Sequence, residues 1–216
     1  HSAILSGATL DKTGIINKEI YSLTQQINES AALRELVHHT SSRDLLAANA
    51  LSAFPEFAAR FAKFLADHGH RETDFDPYHP TWAEAPWVVL DNMRLMSEAT
   101  VDQSPRDKEL DLRLRQMSAE ASVFARLPSN LHFFFHELLR LARAYTTLDD
   151  VEHYQTTRLT LPLRKGLREV GHRLVRRGVL DDAMDVFFCR FEALDEAIRG
   201  NDDGKWDQLA VAVRRN

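Results

Sequence analysis

A stretch rich in histidine and aspartate, between residues 68 and 79, has side chains able to bind a metal ion. It contains His68, His70, Asp74, Asp76 and His79. Imidazole and carboxylate groups are common ligands of zinc, iron and manganese. The stretch lacks a fixed ligand spacing such as His-Glu-x-x-His, which places two histidines on one helix face. We therefore predict no metal site, and we expect Arg71 to pair with Asp74 or Asp76 in a structural role.

A second pair of histidines, His132 and His136, flanks three consecutive phenylalanines and precedes Glu137. Residues four apart share one face of a helix. A histidine pair on such an aromatic helix more often lines a core or a pocket than binds a metal. If this helix borders a cavity, the phenyl rings favour an apolar or aromatic ligand.

A basic segment follows between residues 158 and 177, where Glu169 is the single acid. Its cations are Arg158, Arg164, Lys165, Arg168, Arg173, Arg176 and Arg177. The planar guanidinium of arginine makes two hydrogen bonds to a phosphate. The segment is therefore either a solvated helix face or a contact for a phosphate group or an acidic neighbouring domain. Gly166 and Gly171 inside it predict a close packing neighbour or a local break in the helix.

Composition limits the classes of protein to which the chain can belong. The 216 residues are 44% apolar and have a net charge of −5, which gives no general reason to expect nucleic-acid binding. No apolar run approaches the ~20 residues that cross a bilayer. The single cysteine, Cys189, excludes an internal disulfide. We expect a cytoplasmic protein and, because the chain starts with His1-Ser2-Ala3, a fragment of a larger enzyme.

These residues must be positioned by helices, since apolar residues recur at intervals of three to four and no alternating strand pattern is found. We predict an all-α fold: an irregular multi-helix bundle of long antiparallel helices with one long polar loop over 69–83. Pro55 and Pro105 should begin helices. Long helices are expected over 105–126 and 130–147, followed by a separate basic helix that ends at Gly178. The chain should form one domain, 1–216, with any subdivision near 98–104.

Two motifs in this sequence resemble those of one enzyme family. Arg158 to Phe188, with Leu174-Val175-x-x-Gly178 and Asp185-Val-Phe-Phe, resembles the segment before the phosphohistidine domain in phosphoenolpyruvate synthase-like enzymes, including rifampicin phosphotransferases. Upstream, Phe64-Leu65, Gly69-x-Arg71, an acid pair and Trp82-x-Glu84-x-Pro86 are similar to a second family motif, with Thr81 where arginine is common. The resemblance implies the central helical, acceptor-binding domain of such a PEP-utilising enzyme.

The resemblance also implies which parts of the reaction lie elsewhere. Related enzymes transfer phosphate from ATP to a histidine on a separate domain and then to an acceptor. The chain has no glycine-rich phosphate loop, and none of its ten histidines has the Thr-Ser-His context of the phosphate carrier. ATP and Mg are therefore expected on other domains, the ATP-binding and phosphohistidine domains are the expected partners, and the chain alone should bind no cofactor and catalyse no turnover.

The resemblance implies an acceptor site for this domain and a contact for the phosphate or a neighbouring domain. The acceptor site would comprise His70, Arg71, Asp74, Asp76, Trp82, His132, Phe135, His136 and Glu152. The phosphate or domain contact would comprise Arg158, Arg164, Arg168 and Arg173. No membrane or nucleic acid is expected as a partner.

The stretch from Asp149 to His153 departs from the family pattern. It falls where relatives have Arg-Glu-x-x-Lys beside the acceptor, so Asp149 replaces the arginine and His153 the lysine. A carboxylate disfavours a nearby phosphoryl group, whereas His153 could act as a general base on an acceptor hydroxyl. The alternative interpretation is that Asp149 caps a long helix.

Two other functions remain open from the sequence. One is a non-catalytic module that docks an acidic protein through its basic helix. The other is a helical metalloprotein that uses His70, Asp74, His79, His132 or His136.

Overall fold

The computed structural model describes residues 12–71, 76–99, 104–200 and five positions between 204 and 211. The fold is all-α, as predicted, and this part of the chain contains no β-strand. Its α-helices are α1 (Lys12–Glu29), α2 (Ala31–His39), α3 (Ser42–Ala47), α4 (Pro55–His68), α5 (Pro86–Glu98), α6 (Pro105–Arg126), α7 (His132–Arg176) and α8 (Phe191–Gly200). Short 3-10 helices cover Ala50–Ala53, Ser129–Leu131 and Ala183–Phe188. None of the described helices is both long and apolar enough for a membrane span.

The chain divides into two compact units. The first comprises residues 1–71 and 82–156, and the second comprises residues 72–81 and 157–216. Both sides of the 98–104 stretch belong to the first unit, and the single domain expected from the sequence stays a prediction. Helix α7 contributes its first part to one unit and its last part to the other.

Helices α1 to α5 enclose the core of the first unit. Helix α4 begins at Pro55 and turns Phe57, Phe61, Phe64 and His68 inward, the spacing of one helix face. The Ser30 hydroxyl accepts a hydrogen bond from the Leu33 N–H and caps α2. The largest buried apolar side chains of the core also include Leu23, Ile27, Leu33, Leu45, Leu90 and Met93. This core positions α1, α4 and α5, the helices around the site described below.

Helices α6 and α7 follow each other through a short 3-10 turn. Helix α6 begins as predicted, with the Ser104 hydroxyl accepting from the Asp107 N–H and Pro105 in the first turn. None of its residues is buried among the described part of the chain. The rings of Phe124 and Phe135 pack edge to face at 5.1 Å between centroids and connect α6 to α7.

The prediction of a helix over 130–147 and a separate basic helix is wrong, because α7 is one helix of 45 residues. The first of these helices was expected to end at residue 147. The hydroxyls of Thr146 and Thr147 each donate to a carbonyl four residues earlier at 2.9 Å, which satisfies these groups inside the helix. Helix α7 also continues through Pro162.

The second unit has its own small core. Its buried side chains are Leu174, Val179, Leu180, Val186, Leu194, Trp206 and Leu209. Gly178 follows α7 with a φ of 73°, the left-handed conformation predicted from the sequence. A Cβ at Gly171 would overlap the backbone of Ala183, whereas one at Gly166 would meet nothing within 4 Å. A close packing neighbour therefore accounts for Gly171, and nothing in the structure explains Gly166.

Candidate functional site

Arg71 and Trp82 lie side by side, although ten residues separate them in the sequence. The Trp82 N–H donates to the Arg71 carbonyl, and the Ala83 N–H donates to the Gly69 carbonyl, each at 2.8 Å. A Cβ at Gly69 would lie 2.2 Å from the Leu65 carbonyl oxygen and 2.9 Å from the Cβ of Ala83, so a larger residue would displace these neighbours. The Gly69-x-Arg71 and Trp82 motifs therefore form one local structure, which the sequence did not show.

This local structure borders a groove of about 810 Å³ in the first unit. The groove is formed by α1, α5 and the start of α6, together with Arg71 and Trp82. Its apolar wall includes Ile16, Ile20, Tyr21, Leu95, Met96 and Leu112, and its polar groups include Thr13, Asn17, Lys18, Asn92, Lys108 and Glu109. A mostly apolar cleft with a few polar groups is the usual form of a small-molecule site. Arg71 and Trp82 were predicted from the sequence, whereas the lining residues on α1, α5 and α6 were missed.

The guanidinium of Arg71 has a buried nitrogen without a hydrogen-bond partner among the described residues. Its central carbon lies 6.0 Å from the centroid of the Trp82 ring. Its Nη1 atom is buried and has no hydrogen-bond partner among the residues that the structure describes. Of its two expected partners, Asp74 lies outside the described residues, and the Asp76 carboxylate accepts from the Tyr78 N–H at 2.9 Å. A buried donor in this state favours a ligand that supplies an acceptor.

A buried polar network lies behind Arg71 and Trp82. His68 is 7% exposed. Its Nδ1 is 3.1 Å from the Tyr154 hydroxyl and its Nε2 is 3.2 Å from a Glu19 carboxylate oxygen. The Tyr154 ring also packs edge-on against His70, with centroids 4.7 Å apart. Tyr154 and Glu19 were missed by sequence reasoning. Tyr154 follows Val151 by three residues, and this helical spacing of apolar residues was a weak signal that Tyr154 faces inward.

The aromatic stack below the groove holds the Trp82 ring. Trp82 stacks on Phe64 with centroids 6.0 Å apart, and Phe64 lies in the buried core. Because Phe64 is fixed by α4, the indole has a defined orientation at the groove wall. A flat surface of this kind suits contact with an apolar or aromatic ligand.

One acid at the groove is neutralised by its neighbours. The Lys18 ammonium lies 3.4 Å from a carboxylate oxygen of Glu109, and Arg113 lies 2.6 Å from the other. The hydrogen bond and charge of Lys18, with the charge of Arg113, lower the pKa of Glu109 below its usual value. Glu109 is therefore ionised and paired, so its charge does not cancel that of Arg71.

The segment from Asp149 to His153 lies within α7, where Asp149 and Glu152 are exposed and His153 is half-buried. The helix continues on both sides of Asp149, so the interpretation of Asp149 as a helix cap is wrong. Asp150 accepts hydrogen bonds from the hydroxyl and the N–H of Thr13, which lines the groove. This segment therefore passes beside the groove at Thr13, and catalytic roles for Asp149 and His153 stay predictions.

His132, Phe135 and His136 lie away from the groove, on the part of α7 that packs on α6. The Nε2 of His132 is 3.0 Å from the Leu127 carbonyl oxygen, and Phe135 packs on Phe124. His136 is exposed, with its Nδ1 3.8 Å from a carboxylate oxygen of Glu137. The described residues contain no group of three or more histidine, cysteine, aspartate or glutamate side chains arranged to hold a metal.

The four arginines predicted to contact phosphate or a domain differ in exposure. Arg158 and Arg173 are exposed, and Arg168 is half-buried. Arg173 pairs with Glu169 at 2.8 Å, and this bond lowers the pKa of Glu169. Arg164 is only 3% exposed and donates to the carbonyls of Pro77 and Tyr78, so its assignment to a solvent-facing basic face is wrong.

Comparison with protein families identifies the family of the chain. A family model described as the rifampicin phosphotransferase fourth domain matches residues 2–150, well over half of the chain. The match includes the Phe64 to Pro86 motif and every residue that lines the groove, and it ends before the basic segment at Arg158. A comparison with curated proteins finds no similar sequence. The chain therefore belongs to the family of rifampicin phosphotransferase fourth domains.

Proposed function

We propose that the chain is the acceptor-binding helical domain of an ATP-dependent phosphotransferase that resembles phosphoenolpyruvate synthase. Phosphate would pass from ATP to a histidine on another domain and then to a small molecule held by this domain. The observation that carries the proposal is the groove at Arg71 and Trp82, which is built by residues inside the matched family range.

The chemistry of the groove supports binding more than catalysis. Its described lining residues have apolar and amide side chains, paired charges and one arginine donor, but include neither a histidine nor a cysteine. Such groups orient a ligand by contact and hydrogen bonding, whereas phosphoryl transfer also needs metal ions and a phosphate donor. ATP, Mg and the phosphohistidine therefore belong to other domains in this proposal, and the chain alone catalyses no turnover.

His153 is the candidate acid-base residue of the transfer step. It lies one helical turn from Asp150, whose contact with Thr13 brings this part of α7 beside the groove. A neutral imidazole there would accept the proton of an acceptor hydroxyl as the oxygen attacks phosphorus.

The test uses the natural protein that contains this chain together with its neighbouring domains. The protein is incubated with Mg and ATP radiolabelled in its phosphates, first alone and then with a panel of alcohols, phenols and enols. We expect acid-labile label on the protein, typical of phosphohistidine, and transfer of that label to at least one acceptor. The 216-residue chain is the control and should consume no ATP.

Two results would contradict the proposed function. One is a natural protein without label after incubation with ATP. The other is a labelled protein from which no hydroxyl or enol compound removes the phosphate. In a protein that does transfer, His153→Ala should lower kcat by about 100-fold with less change in KM, the usual range for loss of a general base.

A further inference from the structure

We infer that the groove binds an amphipathic organic anion, with an oxyanion such as a carboxylate on Arg71 and a flat apolar body against Trp82. The inference rests on the proposed function in so far as this ligand is the phosphate acceptor. It adds a chemical class for the ligand, which is argued from the side chains that line the groove.

The charge requirement comes from Arg71. Guanidinium groups in folded proteins normally donate several hydrogen bonds, because an unsatisfied buried donor is costly. The Nη1 of Arg71 is buried at the groove without a partner in the described part of the chain. A carboxylate matches the planar fork of arginine with two parallel hydrogen bonds, whereas a neutral carbonyl or hydroxyl offers a weaker acceptor.

Other charges around the groove agree with an anionic ligand. Lys18 and Lys108 also line it, and Glu109 is its acid among the described lining residues. Because Glu109 is paired with Lys18 and Arg113, its charge is neutralised locally. The groove therefore presents an excess of positive charge, which attracts an anion and repels a cation.

The volume and the side chains of the groove indicate the size and the aromatic character of the ligand. A volume of about 810 Å³ lies in the range of sites for drug-sized molecules, so a two- or three-carbon acid would leave most of it unfilled. Tyr21, Leu95 and Met96 line the groove together with the ring of Trp82. Because Phe64 fixes the indole, an aromatic or fused-ring ligand would pack on a surface that is already ordered.

The experiment compares two probes of nearly identical shape on the 216-residue chain. 2-Naphthoate carries the carboxylate, and 2-naphthamide is its neutral counterpart. Isothermal titration calorimetry should give a dissociation constant for naphthoate at least about tenfold lower than for the amide, since charge-assisted hydrogen bonds are roughly twice as strong as neutral ones. Arg71→Met should abolish this difference, and Arg71→Lys should retain part of it.

A matched control is Arg173→Met, which removes an exposed, ion-paired arginine from α7 and should leave both affinities unchanged. Circular dichroism of each variant reports whether it folds. Should Arg71→Met fail to fold, Arg71→Gln and the salt dependence of naphthoate binding to the unaltered chain replace it, and affinity should fall as ionic strength rises.

Equal affinities for the two probes, equal binding by the Arg71 variants, or no binding of naphthoate at millimolar concentration would each overturn the inference. These outcomes are separate from those of the transfer assay. A natural protein that phosphorylates only neutral acceptors would keep the proposed function and remove the anionic ligand. Naphthoate binding that depends on Arg71, in a protein that never becomes labelled by ATP, would keep the anionic ligand and remove the proposed function.

Discussion

Two arginines, one in each unit, have opposite environments. Arg164 is buried in the second unit, where it donates to the carbonyls of Pro77 and Tyr78 and lies 5.5 Å from the centroid of the Phe187 ring. Arg71 in the first unit stands beside a groove, and its buried Nη1 has no partner among the described residues. The family resemblance had assigned both to binding.

The hydrogen-bond partners of an arginine distinguish a structural role from a ligand-binding role. Arg164 donates its hydrogen bonds to backbone carbonyls of its own unit, so this residue stabilises the fold. Arg71 lines the groove, and its buried Nη1 has no hydrogen-bond partner among the described residues, so an added acceptor would stabilise it. Substitutions at the two positions should therefore have opposite effects on stability and on binding.

The largest expected effect is the loss of stability in Arg164→Met. The change removes a buried guanidinium from the carbonyls of Pro77 and Tyr78, which should lower the free energy of unfolding by about 3 kcal/mol. Urea denaturation followed by circular dichroism measures the change. Arg173→Met on the same helix is the control and should leave the midpoint unchanged. An unchanged midpoint for Arg164→Met would show that Arg164 does not stabilise its unit.

A second pair of variants compares two glycines of α7 in the second unit. Gly171→Ala would place a Cβ against the backbone of Ala183, and we expect a loss of about 2 kcal/mol because backbone cannot easily move aside. Gly166→Ala meets open space and should stabilise the helix by about 0.7 kcal/mol. Thermal denaturation of both variants tests the prediction. A stabilising Gly171→Ala would argue against the packing of Ala183 on α7.

A smaller effect is expected for the stability of Arg71→Met. Because the substitution removes a buried donor without a described partner, the free energy of unfolding should stay the same or rise by up to about 1 kcal/mol. The same urea titration as for Arg164→Met gives the comparison directly. Destabilisation of the size expected for Arg164→Met would mean that Arg71 has a structural role like that of Arg164.

The smallest expected effect is on the rate at which Cys189 is alkylated. Cys189 lies in the second unit, so this rate depends on the structure of that unit. Partial burial first, and then the charge of Asp185, raise the pKa of this thiol. A raised pKa reduces the thiolate fraction near neutral pH, so alkylation by iodoacetamide should be slower than for a free cysteine and increase with pH through an inflection above the usual value. Arg164→Met should increase the rate severalfold, whereas Arg71→Met should leave it unchanged.

Much of the fold was predictable because local chemistry determines it. The helical period predicted the all-α class, Ser104-Pro105 predicted the start of α6, and Gly178 predicted the end of α7. The single long helix α7 was not predictable, because whether Thr146 and Thr147 break or continue a helix depends on the carbonyls to which they bond.

The site was predictable only in part. Arg71 and Trp82 were found because they belong to one motif. The backbone hydrogen bond from Trp82 to Arg71 shows why the motif contains both residues. Tyr21 and Lys18 were missed because they reach the groove from α1, through packing that no local pattern encodes. Burial of Arg164 was missed for the same reason, since its partners at 77 and 78 are distant in sequence.

The most direct test of the central claim, that Arg71 and Trp82 mark the ligand site, follows the three tryptophan indole signals by NMR. In a heteronuclear spectrum of the 15N-labelled chain, the indoles of Trp82, Trp87 and Trp206 give one peak each, which Trp→Phe variants assign. Addition of 2-naphthoate should shift the Trp82 peak in a saturable manner and leave the Trp206 peak in place, and Arg71→Met should abolish the shift. A saturable shift of Trp206 with an unmoved Trp82 peak would contradict the account.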